Sequence, residues 1–332
     1  MHPPKRSNRR LLRSVPGQKT KVHGFLDPCP IPSPCPAAEL ESHTAVATLK
    51  KQVRDGSINK ALLLSLCAMG SRFDQDEQIR CLENSYNNES KRLLLTDLEN
   101  ICIENVQTCI LLANLFAAHL NPSSETLFFR IGVNLLQIME ADTSLAAGNL
   151  IDREMRIRAW WTLFMADRWS SSSLGLAPLI RDTDLAVDLP MHEPIFESLS
   201  PNETKLNVPW EPGLWAHKIS LIRLFGPIKD LNHRSVYGSV DKDEIDSTVA
   251  SLSKLLEDWE WTIPPNVRWS TENLERYIKQ GMAAPLSLST WAITTMQRCY
   301  TFDFSSPRPH HLLWRRCIVP SASSTLLLIV IS

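Results

Sequence analysis

The sequence predicts an all-α protein: a multi-helix, bundle-like domain interrupted by one long proline-rich surface loop. Three observations carry this. No segment sustains the two-residue alternation of a half-buried strand. Apolar residues recur three and four apart in stripe after stripe from Ile58 to Trp259. The stretch from Asn149 to Leu174 holds a helical run that is charged at its start and apolar almost all round afterwards, the composition of a buried helix.

Helical text begins at Ser57, after the Asp55-Gly56 turn, with Ile58, Leu62, Leu66 and Met69 on one stripe. A second helix is expected over 77–95, with Ile79, Leu82 and Tyr86 facing inward. Thr96 and Glu99 have the spacing of a capping box, predicting a third helix that passes Val106, Ile110 and Phe116 and stops at Asn121-Pro122. Ser124 opens a fourth, with Leu127, Ile131, Leu135 and Ile138 as its stripe. The fifth is the buried helix, capped by Asp152, with Glu154 and Arg158 four apart on one face. It runs out in Ser170–Ser173 and Gly175, and an ordered loop follows through Pro178 and the acidic run 181–188 to Pro190.

From Met191 to Pro212 the sequence has four prolines and no period, predicting a long surface loop. Leu214 to Val236 is helical with a break at Gly226-Pro227. Asp241 caps the next helix, whose stripe Ile245, Val249, Leu252, Leu256 and Trp259 ends at Ile263-Pro264-Pro265.

Composition bounds what this chain does. At 332 residues, 43% hydrophobic and 21% charged, it has the material for one large domain or two small ones. A net charge of −1 gives no bulk attraction to nucleic acid. The longest apolar run, Leu326 to Ile331, is too short to span a bilayer, so no membrane partner is expected. No secretory signal peptide opens the chain. Cys67, Cys102 and Cys109 lie in apolar helical text and read as small core residues. Residues 1–44 read as a disordered arm and linker: seven Lys/Arg precede residue 22 without an acid, and a proline-rich run covers 27–36. The basic arm fits nuclear import or phosphate contact as well as an unstructured tail.

Residues 149–190 contain an ordered set of landmarks. They are the arginines from Arg153 to Arg158, the pair Trp160-Trp161, Leu163-Phe164, Asp167-Arg168, a small-residue turn with Gly175-Leu176, Ile180–Asp184 and a closing Leu189-Pro190. This string resembles the regulatory, or middle homology, region of fungal zinc-cluster transcription factors of the xylanolytic-activator type. Ala177 stands between Leu176 and Pro178, a small departure from the family's pattern. The resemblance extends over about residues 62–281 and implies a regulatory domain spanning 45–281 that modulates DNA-templated transcription in the nucleus. Its structural signature is Arg153, Trp160, Trp161, Phe164, Asp167, Arg168, Arg181, Asp182 and Asp184.

The resemblance implies zinc only in full-length members, where six cysteines hold two ions in an N-terminal module that reads DNA. Here Cys29 and Cys35 alone occur early, six positions apart with three prolines between them, so no cofactor is expected in this chain and DNA contact is expected only through that missing module. The implied partners are transcriptional regulators or the chain's own relatives, with a small-molecule effector as a further candidate. Asp167 and Arg168 beside Trp169 need partners, either Arg181 or nearby backbone groups, because an uncompensated buried charge is costly. Trp160, Trp161 and Trp169 read as core rather than as a ligand cage.

No catalytic motif is present. His192-Glu193 lacks the second histidine of a metalloprotease helix, since Phe196 stands in its place, and reads as a solvent-exposed loop pair. A helical scaffold and a small-molecule-binding helical enzyme are the alternative readings; the enzyme would need convergent acids and bases that the sequence does not offer.

Residues 282–332 read as an irregular tail translated out of frame. Shifted by two bases, the Trp291/Ala292 junction is forced to Gly, Met296/Gln297 to Ala and Cys299/Tyr300 to Leu. With permitted codons the shifted frame spells an aromatic amphipathic helix like the one the family places there.

Overall fold

The computed structural model describes residues 45–141, 149–181, 187–200, 203–236, 238, 241–268 and 270–279. Twelve α-helices occur among them: α1 Ala45–Asp55, α2 Lys60–Arg72, α3 Glu77–Arg80, α4 Glu83–Thr96, α5 Ile103–Ala118, α6 Pro122–Ala141, α7 Leu150–Leu174, α8 Glu193–Ser198, α9 Leu214–Ile222, α10 Phe225–Val236, α11 Lys242–Thr262 and α12 Thr271–Lys279. There is no strand among the described residues; the only pairing is an isolated antiparallel bridge between Met191 and Pro212. The all-α class is therefore as the periodicity requires. The arm and linker 1–44 and the tail 282–332 lie outside the described residues.

Helix α7 joins two groups of helices. On one side α2, α4, α5 and α6 pack together; α6 lies between α5 and α7. On the other, α9, α10 and α11 pack on one another, with α9 and α10 against α7. Every residue from Arg158 to Ser171 is buried. Gly132 on α6 allows close approach: a Cβ there would lie 3.1 Å from Leu163 Cδ2 on α7 and 3.3 Å from Cys109 Cβ on α5. One core holds Leu111 and Leu115 of α5, Phe129 and Leu136 of α6, and Trp161 and Phe164 of α7.

Several local expectations are corrected. Asn149, not Asp152, caps α7: its side chain accepts from the Asp152 backbone N–H at 2.9 Å. Thr96 does not open a helix; it is the last residue of α4, and its hydroxyl donates back to Leu93 O at 2.8 Å. The helix expected over 77–95 is broken at Cys81-Leu82, which leaves Ile79 and Leu82 exposed. On α6 the expected stripe holds in part: Leu135 is buried and Ile131 packs half-buried against the core, but Leu127 and Ile138 are exposed, while Phe128, Phe129, Val133, Leu136 and Met139 are buried. Helix α6 starts at Pro122, two residues before Ser124, with the Asn121 side chain accepting from the Ser124 N–H at 3.1 Å. The break between α9 and α10 falls at Arg223–Leu224, and Pro227 sits in the first turn of α10, where a missing N–H costs little. Cys67 is exposed, while Cys109 is buried.

Two expectations hold in detail. Asp241 caps α11, accepting from the Glu244 N–H at 2.8 Å. Gly175 ends α7 with φ of 67°, a left-handed conformation that favours glycine, and its N–H returns to Ser171 O.

Candidate functional site

The chain leaves α7 at Gly175 and turns back along it. Non-helical backbone against a buried helix must find hydrogen-bond partners, and α7 supplies them from side chains. Asp167 Oδ2 accepts from the Leu179 N–H at 2.8 Å and the Ile180 N–H at 3.0 Å, and Oδ1 accepts from the Ser171 hydroxyl at 3.0 Å. Arg168 Nη1 donates to Ile180 O at 2.8 Å, lies 3.8 Å from Asp167 Oδ2, and its guanidinium covers the Phe164 ring at 4.5 Å. Further along, Trp161 Nε1 donates to Asp188 O at 2.8 Å. Nearest the helix start, Glu154 Oε1 accepts from the Met191 N–H at 2.9 Å while Arg158 Nη2 donates to Met191 O at 3.1 Å. Helix positions fall as loop positions rise, so the described parts of the loop run antiparallel to α7.

Among the signature residues, Trp161 and Phe164 are deep core and meet edge to face at 5.4 Å. Trp160 is also buried, and its indole N–H has no hydrogen-bond partner among the described residues. Arg153 is an exposed residue that pairs with Asp188 at 2.6 Å. Arg181 is exposed, and the partners of Asp167 are the backbone groups, Ser171 and Arg168. Asp182 and Asp184 lie outside the described residues.

The segment 191–212 is more than surface loop. It forms α8 and a small core of Ile151, Met191, Phe196 and Leu199 beside the start of α7. Glu193, expected in solvent with His192, is buried, and a Cβ on Gly213 would meet its Oε2 at 2.8 Å. His192 Nδ1 lies 3.2 Å from Glu193 Oε2, and this hydrogen bond raises the imidazole above its usual range. Arg158 pairs with Glu154 at 2.9 Å and stacks over Phe196 at 4.4 Å. Burial pushes the Glu154 carboxyl up, while Arg158 and the Met191 N–H pull it back.

Beside this pair a cleft of about 390 Å³ opens between the first turns of α7, residues 188–191 and the segment ending at Trp210. Leu150, Ile157, Leu189, Met191, Leu206 and Trp210 give it apolar walls, and Arg153, Glu154 and Asp188 are its polar members. The Leu150 N–H donates to Glu203 O at 2.9 Å, tying the far wall to the helix start. Sequence reading missed Leu206 and Trp210 because their segment has no period; a tryptophan within a proline-rich run was the available signal.

A second unexpected group is Lys218 on α9, 4% exposed, with its ammonium 5.0 Å from the Trp215 ring centroid. Burial lowers its pKa from 10.5 to about 7. Between those values the unfolded chain holds more protons than the folded one, so this group makes stability rise with pH from about 7 towards 10.5. Below about 7 the lysine is charged in the folded as well as the unfolded chain, and the full penalty of burying that charge applies. Lys218→Met is expected to raise the unfolding free energy at pH 7 by on the order of 2–4 kcal/mol. It should also flatten the pH dependence above 7, and urea titrations of both proteins at pH 6, 7, 8 and 9 check both effects. A variant with the parent's slope would show that Lys218 is not the group responsible.

Comparison with known proteins identifies the family. The fungal specific transcription factor domain matches residues 50–260. An uncharacterized transcriptional regulatory protein of Schizosaccharomyces pombe is 22% identical over 297 residues, covering 77% of this chain and 41% of the relative. A second from the same organism is 27% identical over 214 residues, covering 61% of this chain and 26% of the relative. The Zn(2)-C6 fungal-type transcription factor FTF1c of Fusarium oxysporum f. sp. lycopersici is 24% identical over 271 residues, covering 68% of this chain and 28% of the relative. The chain thus spans well under half the length of these relatives. No solved structure matches it. The match over residues 50–260 takes in α2 to α10 and nearly all of α11, and with it the clamped loop and the cleft: the chain belongs to the fungal specific transcription factor domain family.

Proposed function

We propose that residues 45–281 are the regulatory unit of a nuclear transcription factor, receiving a signal and passing it to a DNA-reading module. The observation that carries this reading is the family match, which covers α7, its clamped loop and the cleft beside them. The arrangement suits reception: a rigid buried helix holds a loop by side-chain-to-backbone bonds, and a change at the loop's cleft end bears directly on Glu154, Arg158 and Trp161. We assign it no catalysis, because the family match is to transcription factors and Asp167 and Arg168 are committed to loop backbone. Its partners are other transcriptional regulators or its own relatives.

Zinc belongs to a cysteine-rich module outside this unit. The described residues do not fit a zinc cluster: no group of three or more His, Cys, Asp or Glu is placed to hold a metal ion among them. Burial pushes the Cys109 thiol up to about 12, so it is a poor source of thiolate.

Fusing residues 45–281 to a heterologous DNA-binding domain tests the reading. The fusion should shift reporter output away from that of the DNA-binding domain alone. A folded, nuclear fusion with output equal to the unfused control would overturn it.

A further inference from the structure

The cleft at the start of α7 has the build of a ligand site. At about 390 Å³ it lies within the roughly 300–1,000 Å³ of small-molecule sites, which pair apolar walls with few polar groups. Its walls are aliphatic apart from Trp210, which is 46% exposed and supplies an aromatic surface. Glu154 lines the cleft although it is only 2% exposed. Both of its bonds, from Arg158 Nε and the Met191 N–H, go to Oε1. Oε2 accepts no hydrogen bond among the described residues. Oε2 is not among the fully sealed unpartnered atoms, so this unused carboxylate oxygen is open to the apolar cleft, where a donor can reach it.

Charge decides which donor. Arg158 already balances Glu154 at 2.9 Å, and Arg153 balances Asp188 at 2.6 Å. A cationic ligand would bring an unbalanced charge into an apolar space, which is costly. A neutral donor adds a hydrogen bond to a charged acceptor without that penalty.

We propose that this cleft binds a small, uncharged, largely apolar molecule whose single hydroxyl donates to Glu154 Oε2. The apolar body fills the space between Ile157, Leu189, Leu206 and Trp210. The inference rests on the reading of the domain as a signal receiver, and it names the chemistry of the effector. Ligand entering here touches Met191 and Glu154 together, the point where the returning loop is fastened to the helix.

Three naphthalene probes test it by equilibrium dialysis against the full chain. 2-Naphthol carries the donor; 2-fluoronaphthalene has nearly the same shape without it; 2-naphthylmethylammonium adds a charge. 2-Naphthol should bind about tenfold more tightly than either of the others. Leu206→Trp, at a half-buried loop position, fills the cleft and should abolish binding while the melting temperature stays put. Should that variant fold poorly, Trp210→Ala at the exposed wall should weaken 2-naphthol binding at unchanged melting temperature. Equal affinities for 2-naphthol and the fluoro compound, tighter binding of the cation, no binding of 2-naphthol, or parent-like binding by the cleft variants would each overturn the proposal. The reporter fusion keeps the two readings apart. Failed binding with a responsive fusion sinks the ligand site alone, and measured binding with a silent fusion sinks the regulatory reading alone.

Discussion

Asp167→Ala is expected to lower the unfolding free energy by about 3–5 kcal/mol, the range for breaking a buried charged network by removing one partner. The carboxylate sits at the centre of four groups. It accepts from the Leu179 and Ile180 N–H groups and the Ser171 hydroxyl, and it lies 3.8 Å from the Arg168 guanidinium. Truncation strands two backbone donors against a buried helix, and each stranded donor costs about 1–3 kcal/mol. Loss of the carboxylate also leaves the positive charge of Arg168, 5% exposed at its side chain, without its acidic neighbour. Typical domains are stable by about 5–15 kcal/mol, so this single change removes a large share of the margin. Urea denaturation followed by circular dichroism measures it. A variant that melts like the parent yet silences the reporter fusion would show that Asp167 serves a ligand or partner instead of the fold.

The parts of this structure that were legible in the sequence are those where one residue type has one physical use. Asp241 three residues before Glu244 caps α11, and the Gly175 turn after a serine run ends α7, because backbone geometry leaves few alternatives there. The run around Trp160 to Met165 is buried because a helix with no polar face has nowhere else to go. The errors fall where two arrangements share one pattern. Thr96 and Glu99 have capping-box spacing, but the helix before them outlasts it and Thr96 bonds backwards. Helix α6 is covered by both α5 and α7, so its buried face is too wide for a single stripe to locate: Leu135 lies inside it, Leu127 and Ile138 outside.

The candidate site divides in the same way. The need of Asp167 and Arg168 for partners could be read from their apolar surroundings. That Asp167 is served by backbone N–H groups at 179–180 could not, because it depends on the path of a loop without periodicity. Glu154 and Arg158 four apart announced a helix-surface pair. Burial of that pair follows from Met191 and Phe196 folding over it, which only tertiary structure shows. Long-range closure of the segment 191–212 is likewise what created the cleft.

Trp161→Ala is the counterpart to Asp167→Ala from the apolar side, with an expected loss of about 3–5 kcal/mol. The side chain is 1% exposed, among the largest fully buried of the described residues, and its removal leaves a cavity in the core it shares with α5 and α6. It also has two polar duties. Its Nε1 donates to Asp188 O at 2.8 Å, and the Arg223 guanidinium lies 4.9 Å from its ring. Trp161→Phe separates volume from anchoring: it keeps most of the apolar body and loses the bond to the loop. That variant should cost only about 1–3 kcal/mol, the penalty of an unmet buried acceptor plus a smaller cavity. Hydrogen exchange should then show faster opening in residues 187–191 than in α5 or α6, since the bond lost is the one that holds the loop midway along the helix. Uniform acceleration across all three would mean that Trp161 acts as core alone, and that the loop is held by Asp167 and Glu154 without it.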